Sequence, residues 1–95
     1  MASYLIVNIE INDRERYAEY VKAVPATIAA YGGRYLTRGG MSEVLEGTWA
    51  PKRLVVLEFE SSARAKEWWD SEMYRAPKAL RRSASIADIV LVEGV

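Results

Sequence analysis

The chain's patterning predicts an α+β fold, four antiparallel strands beneath helices in the order strand, helix, strand, strand, helix, strand. Three observations carry that expectation. Segments of two-residue apolar alternation flank two stretches of helical spacing. Paired glycines and prolines punctuate the joins between them. Finally, 95 residues leave room for one domain and no more. A fold of this size has a thin core, which association with a second copy would supplement.

The first strand is read over Ser3 to Ile11, where Leu5, Val7, Ile9 and Ile11 alternate with Tyr4, Ile6, Asn8 and Glu10. Asn12 and Asp13 supply helix-capping chemistry. Tyr17, Tyr20, Val21, Val24, Ile28 and Tyr31 then form one helical stripe. Pro25 interrupts that stripe and predicts a kink or break, and Gly32-Gly33 predicts the helix end. A second strand is expected from Arg34 to Arg38, bent at Gly39-Gly40 and resuming through Val44 to Glu46. Ala50-Pro51 marks a turn, and a third strand follows over Arg53 to Glu60. It sends Val55, Leu57 and Phe59 to one face and Leu54, Val56 and Glu58 to the other. Ser61 or Ser62 caps the next helix, whose Ala65, Trp68 and Trp69 share a face. A short helical piece is expected from Ala76 to Ser83 with Pro77 in its first turn, and a last strand from Ile86 to Glu93.

This order is that of the split βαβ, or ferredoxin-like, unit, in which both helices cover one sheet face. The other face would carry Tyr4, Ile6, Leu54, Val56, Val90 and Val92. An exposed apolar face of that kind marks an interaction surface. A two-fold homodimer, with the two open faces packed against each other, is the expected assembly.

Composition narrows the chemistry. The chain has neither cysteine nor histidine, which excludes thiolate nucleophiles, disulfides, imidazole bases and His- or Cys-ligated metals. No metal and no cofactor are expected. Thirteen basic and thirteen acidic residues balance to zero, which argues against nucleic acid as a partner. No aliphatic run exceeds four residues, so no membrane partner is expected, and the start lacks a signal-peptide pattern. A soluble, cytoplasmic protein is the expectation.

The candidate site residues are polar groups on patterned elements. Glu58 shares a face with aliphatic neighbours, where a carboxylate must be paired or protonated. It is read as a pocket acid; the competing reading pairs it structurally with Arg53, Arg34 or Arg38. Asn8, on the corresponding face of the first strand, offers an amide to the same cavity or a backbone hydrogen bond. Glu46, beside Gly47 and near Trp49, is either a ligand contact or a solvated strand end. Arg34 and Arg38, four apart, point the same way on a regular strand and together suit a carboxylate or phosphate. The alternative is a solvated or ion-paired strand surface. Trp68, Tyr31 and the other helical aromatics are core or the wall of a small-molecule pocket. Tyr74 and Arg81 complete the set, Arg81 as an anion anchor or as a salt-bridge partner. Gly39-Gly40 is not a phosphate loop, since no Lys-Ser/Thr follows it.

Laid out this way, the chain resembles the bacterial domain-of-unknown-function family thirteen-thirty, of the dimeric α/β-barrel, ferredoxin-like superfamily. The resemblance runs from about Tyr4 to Gly94. It rests on Tyr31-Gly32-Gly33-Arg34, Arg38-Gly39-Gly40, Val44-Leu45-Glu46-Gly47 with Trp49, and Arg53. It continues through Glu58-Phe59, Ala65, Trp68, Ser71, Tyr74, Arg81 and Val92-Glu93-Gly94. Phe59-Glu60 stands where the family commonly reads Phe-Pro, and Ser71-Glu72 where it reads Ser-Pro. The resemblance implies the fold and the dimer but no established reaction, and it favours Arg81 over Arg82 as the functional arginine. The expected function is a homodimer whose aromatic-lined cavity binds a small organic molecule, anions included. One alternative is a cofactor-independent monooxygenase or isomerase, with Glu58 or a tyrosine as the base and Arg81 stabilising the anion. Another is a structural or stress-related dimer without ligand.

Overall fold

A computed structural model describes the whole chain, Met1–Val95. Its elements are β1 (Ser3–Ile11), α1 (Arg14–Ala30), β2 (Arg34–Arg38), β3 (Leu54–Phe59), α2 (Ser62–Trp69), α3 (Glu72–Ala84) and β4 (Ser85–Glu93). The strands form one antiparallel sheet in the order β2-β3-β1-β4, the ferredoxin-like arrangement. No helix is long and apolar enough to cross a membrane.

Alternation decides the two faces. Leu5, Val7 and Ile9 on β1 and Val55, Leu57 and Phe59 on β3 are buried beneath the helices. Their registers, Leu5 opposite Leu57 and Val7 opposite Val55, put like beside like. The aromatic helix residues complete the core: Tyr74 stacks on Trp68 at 4.0 Å between ring centres, and Trp68 leans on Phe59 at 5.5 Å. The Trp68 indole N–H donates to Thr27 at 3.0 Å, so its one polar atom is satisfied in the interior. On the opposite face Ile86, Val90 and Val92 are 64, 60 and 46% exposed.

Capping follows local chemistry. The Asp13 carboxylate accepts from the Arg16 N–H, Ser61 Oγ from Arg64 and Ser71 Oγ from Tyr74, each 3.1 Å away. At the end of α1, the Gly33 N–H bonds to Ile28 O and the Gly32 N–H to Ala29 O, a Schellman closure with Gly32 at φ 75°.

Four expectations are corrected. First, of the kink or break expected at Pro25 the break is absent, α1 running on to Ala30. Proline brings no N–H to the Val21 carbonyl four residues back, and Arg38 Nη2 donates to that oxygen at 2.9 Å instead. Second, no strand resumes at Val44–Glu46, because residues 39–53 form a loop. Gly39, at φ 73°, turns the chain away after its N–H bonds Leu54 O, and a longer ladder would meet Pro51, which has no donor. Third, the last helix starts at Glu72, not Ala76, because Ser71 caps it. Fourth, Arg34 and Arg38 do not point the same way. A bulge between Tyr35 and Thr37 shifts the register, so Arg34 stands opposite Glu58 while Arg38 stands opposite Val55 on the helix side.

Candidate functional site

Between helices and sheet lies a cavity of about 40 Å³, walled largely by the aromatic and aliphatic core. Its polar lining is of one sign. Arg38, Arg53 and Arg81 border it, and no aspartate or glutamate does. The ion pairs of the chain lie elsewhere: Arg16–Asp13, Arg34–Glu58, Arg64–Glu67 and Arg75–Glu72. Of the three, Arg81 is buried, Arg53 half-buried and Arg38 exposed; burying positive charge without a counter-charge, as at Arg81, is costly, and interiors normally avoid it.

Each guanidinium reaches the cavity from a different element. Arg81, on the last turns of α3, is only 4% exposed. Its Nε–H donates to Tyr74 Oη at a long 3.4 Å, and its charge sits 5.9 Å from the Trp69 ring centre. Arg53 leads into β3, and its Nε is buried without a hydrogen-bond partner. Arg38 is engaged by the Val21 carbonyl and lies over the Tyr35 ring at 4.6 Å.

Tyrosine hydroxyls are the other polar groups here. Tyr20 and Tyr74 hydroxyls share a 3.0 Å hydrogen bond, which joins Arg81, Tyr74 and Tyr20 in one chain. Burial first, and then the neighbouring Tyr74, pushes the Tyr20 hydroxyl well above the ordinary tyrosine range, while the Arg81 charge pulls weakly the other way. Tyr35 is pushed up too, again by burial, against a pull from Arg38. The Tyr20 and Tyr35 hydroxyls therefore stay protonated at neutral pH.

On the β4 side, Trp69 is shared between the cavity and the surface. This half-buried side chain borders the cavity and two surface grooves beside β4, of about 190 and 320 Å³. Arg81 and Ile89 line both the cavity and the larger groove, where Arg82 and Ser85 join them. Lys78 holds Trp69 from outside, its Nζ donating to the Trp69 carbonyl at 2.7 Å and lying 4.6 Å from the ring centre. Burial, followed by Arg82, lowers the Lys78 pKa.

The structure gathers Arg38, Trp68, Tyr74 and Arg81 around this cavity. It does not bring Glu58 to them. Glu58 lies on the open sheet face, paired with Arg34 Nε at 2.6 Å, so β3 separates it from Arg81. Asn8 lies on that same open face, its Oδ1 accepting from the Lys52 N–H at 2.9 Å. With Ile6, Trp49, Asp88, Val90 and Val92 it lines a groove of about 380 Å³. Glu46 stands exposed in the 39–53 loop. Tyr31 caps the end of α1 under the Arg64 guanidinium, outside the cavity. Arg53 and Tyr35 were not among the expected site residues. Alternation held the signal for Arg53, two residues before Val55 and so on the helix-facing parity.

Comparison with known proteins gives a family and a fold. A family model described as Domain of unknown function (DUF1330) matches residues 2–95. None of the curated proteins matches the chain. Among solved structures, a protein of unknown function from Rhodopseudomonas palustris superposes with a TM-score of 0.78 at 16% identity, covering 99% of this chain and 82% of its own. A dimeric ferredoxin-like protein of unknown function from Jannaschia sp. CCS1 gives 0.74 at 12% identity, over 99% of this chain and all of its own, 100%. SnoaB, a cofactor-independent oxygenase from Streptomyces nogalater, gives 0.69 at 8% identity, over 99 and 93% of the two chains. At these identities the likeness is one of fold.

Proposed function

The chain belongs to the DUF1330 family, and from that premise we propose that it is a homodimeric binding protein for a small organic anion, held between helices and sheet. One observation carries the reading: a cavity bordered by three guanidiniums and no carboxylate. A ligand carboxylate supplies the missing counter-charge. It accepts from Arg81 and from one of the paired Tyr74 and Tyr20 hydroxyls, the other donating within the pair, while Trp68 and the aliphatic sheet residues pack its body. At about 40 Å³ the cavity holds water-sized guests. An organic acid enters by displacing Trp69, which joins the interior to the grooves beside β4.

The second copy covers the open sheet face. Support comes from the exposure of Ile86, Val90 and Val92 and from the Jannaschia protein, described as dimeric. Glu58, Arg34 and Asn8 lie on that face and serve the dimer, and Glu46 in the neighbouring loop serves it as well.

A second reading, an enzyme such as the fold-related oxygenase, draws on the same Arg81–Tyr74–Tyr20 chain, whose donors suit a developing oxyanion. Its difficulty is the base. Glu58 is on the other face, and the raised Tyr20 and Tyr35 are poor proton acceptors.

Thermal unfolding of wild type and Arg81→Met against benzoate, salicylate and neutral benzamide tests the binding reading. Acids that raise the wild-type midpoint, with neither the amide nor the variant responding, support it. Equal shifts in both proteins, or none with any acid, would sink it. Turnover of a stabilising acid, with and without oxygen, distinguishes enzyme from binder.

A further inference from the structure

The three cavity arginines are not equivalent. Arg38 is committed to the fold, because its Nη2 satisfies the Val21 carbonyl that Pro25 leaves without a donor. Arg81 keeps one long bond to Tyr74 and is otherwise free. Arg53 is free in a stricter sense: its Nε is buried, carries a proton to donate, and meets no acceptor.

The sequence around Arg53 holds that guanidinium in place. Its carbonyl accepts from the Ile9 N–H at 2.9 Å, and the next carbonyl, Leu54, accepts from the Gly39 N–H at 2.8 Å. The backbone is thus anchored on both sides. Gly39 then lets the guanidinium lie across it, since a Cβ built there would collide with the Arg53 head group. On another side the Tyr17 ring centre is 5.7 Å from the charge. The result is a donor fixed in the cavity wall with a vacant hydrogen-bonding direction.

Arg53 and Arg81 reach the cavity from different sides of β1: Arg53 from the loop end that leads into β3, Arg81 from α3 beside β4. We propose that Arg53 is the second anchor of the site and that the ligand is a dicarboxylate, one carboxylate on Arg81, the other on Arg53. This inference rests on the anion-binding reading above and adds the ligand class. The cavity's aromatic and aliphatic lining takes the carbon body, and a dianion supplies a counter-charge to each of the two guanidiniums left without one.

The test compares benzoate with its dicarboxylate relatives phthalate, isophthalate and terephthalate, titrated calorimetrically into wild type, Arg53→Gln, Arg53→Lys and Arg81→Met. The chosen isomers place the second carboxylate at three different angles. In wild type at least one dicarboxylate binds tenfold or more tighter than benzoate. Arg53→Gln reduces that advantage to less than threefold, weakening the dicarboxylate by a larger factor than benzoate. Arg53→Lys, which keeps the charge but not the planar fork, retains part of the advantage and guards against a folding defect in the glutamine variant. Arg81→Met weakens all four acids.

If no dicarboxylate outperforms benzoate in wild type, or if Arg53→Gln weakens benzoate and dicarboxylates equally, the second anchor is refuted while Arg81-dependent binding of benzoate stands. If no acid binds wild type at all, the anion-binding reading falls and the second anchor falls with it.

Discussion

Replacing Arg81 with methionine separates a side chain kept for a ligand from one kept for the fold. The wild-type guanidinium is 4% exposed, has no carboxylate partner, and makes one hydrogen bond of 3.4 Å. Exchanging a buried ionic group for an apolar one of similar shape is neutral to stabilising by roughly 1–4 kcal/mol. Against this stand the lost bond to Tyr74, worth about 1 kcal/mol, and a cation–π contact with Trp69 at its outer limit. Methionine keeps most of the stem's packing. The expected balance is a gain of about 1–2 kcal/mol, which in a domain of this size raises the midpoint by roughly 4–15 °C. Thermal unfolding followed by circular dichroism, at one protomer concentration and without added anions, reads this directly. The same variant loses the benzoate-induced rise. A midpoint several degrees below wild type would refute the reasoning, because it would show that Arg81 holds the fold together.

Arg38→Met leaves the Val21 carbonyl without a donor and costs about 1–3 kcal/mol, but Pro25→Ala restores the helical N–H, so denaturant titration of the double variant should recover most of that loss. Alkali should destabilise the protein through Tyr20. Tyr20 has a folded-state pKa raised above its ordinary 10.0, so its stabilisation is full below pH 10 and falls by about 1.4 kcal/mol per pH unit above it. Tyr20→Phe removes one proton from that slope in equilibrium unfolding between pH 10 and 11.5. Gly33→Ala forces a Cβ to 2.6 Å from Phe59 and 2.8 Å from Ile28, and unfolding should show a loss of about 1–3 kcal/mol. Val90→Asp places a charge amid the exposed apolar sheet face, and sedimentation should find wild type dimeric and the variant monomeric.

Much of the fold was legible because it rests on periodicity. The alternation from Leu5 to Ile11 and from Leu54 to Phe59 assigned the two sheet faces, and the structure keeps that assignment. Local breakers were read less well, because a partner distant in sequence overrides them. Pro25 sits inside an unbroken helix, and Arg38 reaches back to the Val21 carbonyl that the proline leaves open. That reach in turn depends on the bulge at Tyr35–Thr37, which no spacing rule reveals. The same bulge split the Arg34–Arg38 pair across the sheet. Arg81, Tyr74 and Trp68 could be singled out as residue types, whereas their meeting with Tyr20 and Arg53 depends on how α1 and α3 pack. Glu58 drew attention as a carboxylate among aliphatics, and its 2.6 Å pairing with Arg34 answers that cost locally.

The central claim is that the interior guanidiniums await an organic anion, and a crystal structure of the protein grown with benzoate tests it most directly. The account predicts density for the ring against Trp68, its carboxylate on Arg81 and Tyr74, and Trp69 displaced from its place at the cavity mouth. Benzoate bound only on the open sheet face beside Arg34, or an interior unchanged at saturating benzoate, would contradict it.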